Sequence, residues 1–324
     1  MTLLQLIHKP IESDLVQFNK LYDSMLTHEN ELLNSILQQI AQRKGKQMRL
    51  LLTFLSAKLF GKIDKRTYYT AAAFELLHNA SLVHDDIVDE SNERRGQPSI
   101  NAAFGNKSAV LIGDYLLGLS LQASANTNTP EVVRLVGESA GTLSNGELLQ
   151  LRSVYNQKIS EDIYYDIIKS KTAALFAKCA EAGALVAGAD KNQQELMREF
   201  GELIGLCFQI KDDIFDYIAG AEIGKPTGND MQEGKLTLPL IHALFTVNNP
   251  EMFAIAYKVK DGSVSADEVK TLVKFTIENN GIAYANDVIM KLASQAKNII
   301  DSFPSSQITE SLNHYVDFII ERNF

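Results

Sequence analysis

The chain has 324 residues, 45% hydrophobic and 22% charged, the balance of an ordinary globular protein with material for a large core. A net charge of −9 excludes non-specific nucleic-acid binding, which needs a basic footprint, but leaves room for a local basic pocket. The two cysteines, Cys179 and Cys207, form no CxxC or Cys/His cluster, which argues against a zinc site and fits reduced thiols in a cytoplasmic protein.

Taken in chain order, MTLLQLIHKPIESD lacks a charged n-region followed by an apolar stretch, so no signal peptide is predicted. Residues 14 to 43 place Leu15, Phe18, Tyr22, Met25, Leu32, Leu33, Ile36 and Ile40 mostly three and four apart. That spacing predicts an amphipathic helix broken near His28-Glu29-Asn30. Residues 48–60, 67–90, 107–125, 131–155, 160–187, 193–219, 237–246, 265–279, 281–302 and 308–321 read the same way. Breakers separate many of them: Gly61, Gly96-Gln97-Pro98, Asn126 to Pro130, Gly188, Gly224 to Gly234, Asn248-Asn249-Pro250 and Asp261-Gly262. No convincing series of alternating strands appears. Many helices are apolar over more than a narrow stripe, so they belong inside a large helical assembly. The fold class is all-α, a large helical bundle. Proline and glycine are scattered and no linker divides the chain, so a single domain over 1–324 is expected, with a less characteristic helical part after about residue 250. The longest candidate for a membrane span, MRLLLTFLSAKLF at 48–60, is short and carries Arg49 and Lys58, so none is expected.

Two helix ends carry the same acidic pattern. Asp85-Asp86-Ile87-Val88-Asp89 and Asp212-Asp213-Ile214-Phe215-Asp216 are both DDxxD, each closing an apolar run. Residues i and i+4 share a helix face, so Asp85 converges with Asp89 and Asp212 with Asp216. Paired carboxylates repel unless a cation lies between them. A hard divalent cation such as Mg²⁺ takes oxygen ligands and binds through one or two carboxylates plus substrate phosphates. One DDxxD alone reads as a solvated helix end; two copies read as a pocket for several magnesium ions and a diphosphate.

Cations follow in matching places. Lys44-Gly45-Lys46-Gln47-Met48-Arg49 opens an apolar helix whose first-turn N–H groups favour anions. Arg94 and Arg95 lie just past the first cluster, Lys171-Thr172 interrupts an apolar helix, and Lys225 and Lys235 sit in a polar loop after the second. Each alone reads as a surface cation; together they suit the clamping of two phosphorylated ligands.

Seven stretches carry a resemblance: GKQMR at 45–49, HNASLVHDDIVDESNERRG at 78–96, NAAFGNKSAVLIGDYLL at 101–117, GELLQL at 146–151, KTAALF at 171–176, GLCFQIKDDIFD at 205–216 and GKPTGNDMQEGKLTLPL at 224–240. In this order they closely resemble the trans-isoprenyl diphosphate synthases, the polyprenyl synthetase family. The resemblance implies long helices around a deep central cavity, usually in a homodimer. It implies magnesium ligation by Asp85, Asp89 and Asp212, with Asp86, Asp213 and Asp216 in support. It assigns Lys46, Arg49, His78 and Arg95 to isopentenyl diphosphate, and Arg94, Lys171, Gln209, Lys225 and Lys235 to an allylic diphosphate. Thr172 and Gln209 would support developing positive charge. The departed diphosphate would act as base, which explains the lack of a Ser/His/Asp or Cys/His set. The family commonly has GGKR followed by x-Arg-Pro; here Lys44, Gln47 and Leu50 replace Gly, Arg and Pro, while Lys46 and Arg49 remain.

In the family, bulky aromatics at the fourth and fifth positions before the first aspartate stop the product short. Here those positions are Ser81 and Ala80. The resemblance therefore implies a long product built from a primer such as farnesyl diphosphate, suited to a quinone side chain, with transient membrane contact for product release. The alternatives are a short-chain farnesyl or geranylgeranyl diphosphate synthase, a terpene cyclase, and a non-catalytic partner subunit.

Overall fold

The computed structural model describes residues 2–42, 45–155, 158–218 and 227–322. Among these are seventeen α-helices. They are α1 (Leu3–His8), α2 (Glu12–Met25), α3 (Glu31–Gln42), α4 (Met48–Phe60), α5 (Lys65–Val88), α6 (Ile100–Phe104), α7 (Asn106–Ala125), α8 (Pro130–Tyr155), α9 (Glu161–Ile168), α10 (Ala174–Val186), α11 (Lys191–Phe215), α12 (Asn229–Gln232), α13 (Leu238–Val247), α14 (Pro250–Asp261), α15 (Ala266–Glu278), α16 (Gly281–Asp301) and α17 (Gln307–Glu321). A π-helical turn, Lys169–Ala173, joins α9 to α10. The described strands are a two-residue antiparallel pair, β1 (Glu93–Arg94) and β2 (Gln97–Pro98). Its turn residues, Arg95 at φ 55° and Gly96 at φ 74°, are both left-handed, as the tightest hairpin requires.

The backbone divides into two compact units. The first comprises Met1–Gly141, Leu175–Gly201 and Phe303–His314. Its core is built on α5. Asp64 starts that helix by accepting the Arg66 and Thr67 amides. Ala71, Ala72 and Ala73 then keep its surface thin, and Ser120 of α7 reaches the Ala73 carbonyl at 2.7 Å. Phe18, Phe54, Phe74, Phe176 and Phe200 are fully buried here, each contributing roughly 2–3 kcal/mol of transfer free energy. The second unit comprises Thr142–Ala174, Glu202–Ser302 and Tyr315–Phe324. There α13 packs on α15 and α16, and the Cys207 thiol reaches the Ile289 carbonyl.

Within the first unit α10 meets α4 at Gly183. A Cβ at that position would lie 2.3 Å from the Thr53 carbonyl oxygen, which is backbone and cannot swing away. Gly183→Ala is therefore expected to destabilise the protein by about 1–3 kcal/mol through overpacking, read as a lower melting temperature.

Most helices fall where periodicity places them, including the break between Met25 and Glu31. Three differences have physical reasons. The 160–187 segment contains the π turn, which needs no breaker residue. Helix α14 lies between two correctly read breakers, with Lys258 and Lys260 diluting its apolar pattern. The helix most like a membrane span is α7 rather than 48–60: it has 20 residues and mean hydropathy 1.2, with 44% of its apolar window buried.

Candidate active site

The first acidic cluster lies at the C-terminal end of α5, and its three aspartates do different things. Asp86 points inward and is 2% exposed; its Oδ1 accepts both Nε and Nη2 of Arg94 at 2.6 Å. Asp85 is half-buried, and Asp89 is exposed at the helix end, where its N–H bonds the Asp85 carbonyl. One turn of helix separates these two, while the intervening Asp86 is rotated about 100° away. Asp86 thus ties β1 to α5, and Arg94, expected on a diphosphate, is held by it.

The basic group of the same unit collects around the N-terminus of α4. Gln47 precedes that helix in a left-handed conformation, φ 49°. Arg49 donates to Nε2 of His78 at 3.0 Å and its guanidinium lies 4.5 Å above the Phe176 ring. Burial, reinforced by Arg49, Arg95 and Arg94, holds His78 well below the ordinary imidazole range. The ring is neutral, and because a guanidinium only donates, Nε2 is its acceptor. Arg95 lies against Gly45, where a Cβ would sit 2.8 Å from the guanidinium carbon. Lys46 is exposed beside it. Ala80 is buried and Ser81 half-buried, with the Ser81 hydroxyl on the His78 carbonyl at 2.9 Å.

The second cluster closes α11. Asp213 is 4% exposed, accepting the Tyr164 hydroxyl at 2.5 Å and Gln209 Nε2 at 2.8 Å. Gln209 Oε1 in turn accepts the Thr172 hydroxyl at 2.7 Å. Burial pushes the Asp213 carboxyl up from the usual carboxylate range, against these hydrogen bonds. Asp216 caps α12: its two oxygens accept the Asn229 and Asp230 amides at 2.9 and 3.2 Å. Asp212 is half-buried. Its Oδ1 takes Arg322 Nη2 at 2.7 Å, while the guanidinium lies 3.9 Å over the Phe208 ring.

Lys171 and Thr172 sit in the π turn. Two glycines let other helices press against it. A Cβ at Gly146 of α8 would come 2.9 Å from the Lys171 nitrogen, and one at Gly205 of α11 2.5 Å from Ala173 Cα. Lys171 Nζ is fixed by Glu147 at 2.7 Å and Gln150 at 3.2 Å. A cavity of about 140 Å³ opens here, lined by Lys171, Thr172, Gln209, Asp213 and Lys235 with apolar Ile163 and Ile167. Lys235 pairs with Glu233 at 2.5 Å. Lys225 lies outside the described residues.

Both clusters offer oxygen donors, the set a hard divalent cation takes. No group of three or more His, Cys, Asp or Glu side chains converges among the described residues. Magnesium uses one or two carboxylates and completes its shell with water and phosphate oxygens. Asp85 and Asp89 would hold such an ion at the first cluster, and Asp212 would hold one at the second. Glu75, Glu147, Tyr164 and Arg322 join these groups without having been singled out from sequence. Glu147 lay inside a matched stretch; Arg322, 110 residues from Asp212, gave no local signal.

The polyprenyl synthetase family profile matches residues 30–276. The chain is 31% identical to the octaprenyl diphosphate synthase of Haemophilus influenzae over 319 residues, covering 98% of this chain and 97% of that one. Among solved structures, it is similar to a geranylgeranyl pyrophosphate synthase from Bacteroides thetaiotaomicron. That pair shares 44% identity and a TM-score of 0.87, over 99% of each chain. A polyprenyl synthase from Caulobacter crescentus, complexed with calcium and isoprenyl diphosphate, has 29% identity and a TM-score of 0.92, over 99% and 98% of the chains. With two DDxxD helix ends in an all-α fold and a family match across most of its length, the chain belongs to the polyprenyl synthetase family and is a trans-polyprenyl diphosphate synthase.

Proposed function

We propose that the enzyme adds isopentenyl diphosphate repeatedly to an allylic diphosphate such as farnesyl diphosphate, with magnesium, to give a long all-trans chain for a quinone side chain. The observation that carries the long-chain reading is the pair of small residues, Ala80 and Ser81, one turn before Asp85. Neither side chain is large enough to serve as the aromatic cap that would stop a growing product. A geranylgeranyl product is the second reading, favoured by the 44% identity to the Bacteroides thetaiotaomicron enzyme. Incubation of the purified protein with isopentenyl and farnesyl diphosphates and Mg²⁺, followed by chromatography of the dephosphorylated products, decides between them. Products of seven or more isoprene units support the proposal; products ending at four overturn its long-chain part.

Bound magnesium would neutralise the allylic diphosphate and make it a leaving group. The residues supply the rest. Arg49, Lys46 and Arg95 bind the isopentenyl diphosphate, and neutral His78 holds Arg49 in place. Lys171, steadied by Glu147 and Gln150, contacts the allylic diphosphate, as does Lys235. The Thr172–Gln209–Asp213–Tyr164 chain of hydrogen bonds locks the Gln209 amide, so its carbonyl dipole is oriented before reaction, the form in which dipoles stabilise charge most cheaply. The departed diphosphate takes the proton lost on condensation.

The working enzyme in this reading is a cytoplasmic homodimer, its two cysteines buried and unpaired. Support for self-association comes from α7, whose surface leaves Val110, Leu111 and Leu121 exposed, Leu111 by 68%. Leu111→Glu is expected to shift the protein from dimer to monomer in analytical ultracentrifugation. A variant that sediments as the wild type would count against α7 as the contact.

A further inference from the structure

The cavity beside the π turn has a further wall that the seven matched stretches do not reach. Lys260, in the last turn of α14, and Lys158, just ahead of α9, line it together with Lys171 and Lys235. All four lysines belong to the second unit. The two lysines that end α14 behave differently. Lys258 is half-exposed and pairs with Glu268 at the surface. Lys260, two residues on, faces the other side of the helix and is 7% exposed. Its Nζ donates to the Lys158 carbonyl oxygen at 2.9 Å.

Anchoring the chain at 158 does not by itself account for a lysine here. The segment from 158 to 161 is held by other groups as well. The Ser160 hydroxyl accepts the Ile163 amide at 3.3 Å, and the Tyr284 hydroxyl of α16 donates to Glu161 at 2.9 Å. Lysine is among the residues least often buried, and a carbonyl is a neutral acceptor that does not balance an ammonium. Burial accordingly lowers the Lys260 ammonium from its ordinary range. An anion in the cavity would offset that cost. Lys171, Thr172, Gln209 and Lys235, the groups expected around the allylic diphosphate, line the same space.

We propose that Lys260 is a further diphosphate-binding residue: steadied by the Lys158 carbonyl, it contacts the diphosphate that Lys171 and Lys235 contact. The proposal rests on the reading that this cavity takes the allylic diphosphate.

A crystal structure of the full chain with Mg²⁺ and inorganic diphosphate gives the direct readout. Lys260 Nζ within about 3.2 Å of a phosphate oxygen, the reach of an N–H···O bond, is the expected result. Diphosphate on Lys171 and Lys235 with Lys260 farther away overturns the proposal. Steady-state kinetics with each substrate varied separately give a second readout. Lys260→Met keeps the apolar stem and loses the charge. It is expected to raise KM for farnesyl diphosphate about tenfold, the scale of one lost charge-assisted hydrogen bond, and to leave KM for isopentenyl diphosphate within about twofold. An unchanged KM for farnesyl diphosphate, even with a lower melting temperature, overturns the contact and leaves Lys260 a structural anchor. Lys171→Met is the control for the cavity itself. If that variant also leaves KM for farnesyl diphosphate unchanged, and the crystal places diphosphate elsewhere, the allylic reading of the cavity has failed and Lys260 falls with it.

Discussion

Asp85→Asn is expected to lower kcat on the order of 10²–10³-fold, the scale of losing one preorganised group that stabilises transition-state charge. The reason lies in how the first cluster divides its work. Asp86 is committed to Arg94, and Asp89 is exposed at the helix end, so Asp85 is the half-buried carboxylate from which a metal–diphosphate complex gains most. Asp86→Asn should behave differently. It removes the buried partner of Arg94, and breaking a buried ion pair costs about 3–5 kcal/mol, so its loss of activity should come with a lower melting temperature. Activity titrated against Mg²⁺, beside thermal melts of both variants, distinguishes the two. Wild-type turnover in Asp85→Asn at ordinary magnesium concentration would remove Asp85 from the ligand set.

Ala80→Phe is expected to shorten the product by several isoprene units while leaving the first condensation intact. Ala80 is 3% exposed, so the ring must displace neighbours or fill space that the growing chain would use. If neighbours are displaced, overpacking costs about 1–3 kcal/mol and the variant melts earlier without a change of product. If the space belongs to the product tunnel, chain length falls and stability changes little. Ser81→Phe, at the half-buried neighbouring position, makes the same test with less strain. Product chromatography and a melting curve on both variants resolve the question. Unchanged chain length in both would sink the tunnel argument.

The sequence showed the fold class because helical periodicity is a local property, repeated in nearly every segment. It also showed both DDxxD patterns and the cations that follow them. It did not show how the aspartates divide their roles, because Asp85 and Asp86 are chemically identical and differ in the direction each faces. The Asp86–Arg94 pair was hidden for a similar reason, since it takes a tight hairpin to fold Arg94 back onto the helix end. Tyr164 and Arg322 reach Asp213 and Asp212 across 49 and 110 residues, distances over which spacing carries no signal. The π turn left no mark because Lys169-Ser170-Lys171 suits an ordinary helix; the glycines that press against it, Gly146 and Gly205, lie in other segments.

Asp216 works as a joint. Both its oxygens hold amides of α12, its own carbonyl takes the Gly228 amide, and the Lys235 amide closes the loop on the Asp230 carbonyl. Carboxylate and lysine loop therefore form one mechanical piece, and substitutions in it are epistatic. A defect in an Asp216 variant mixes lost charge with a displaced Lys235. In a double-mutant cycle the two positions should fall well short of additivity, as neighbours sharing one network do. Single-site scanning of this motif would then overcount its ligands, crediting the joint with work that belongs to the side chains it carries.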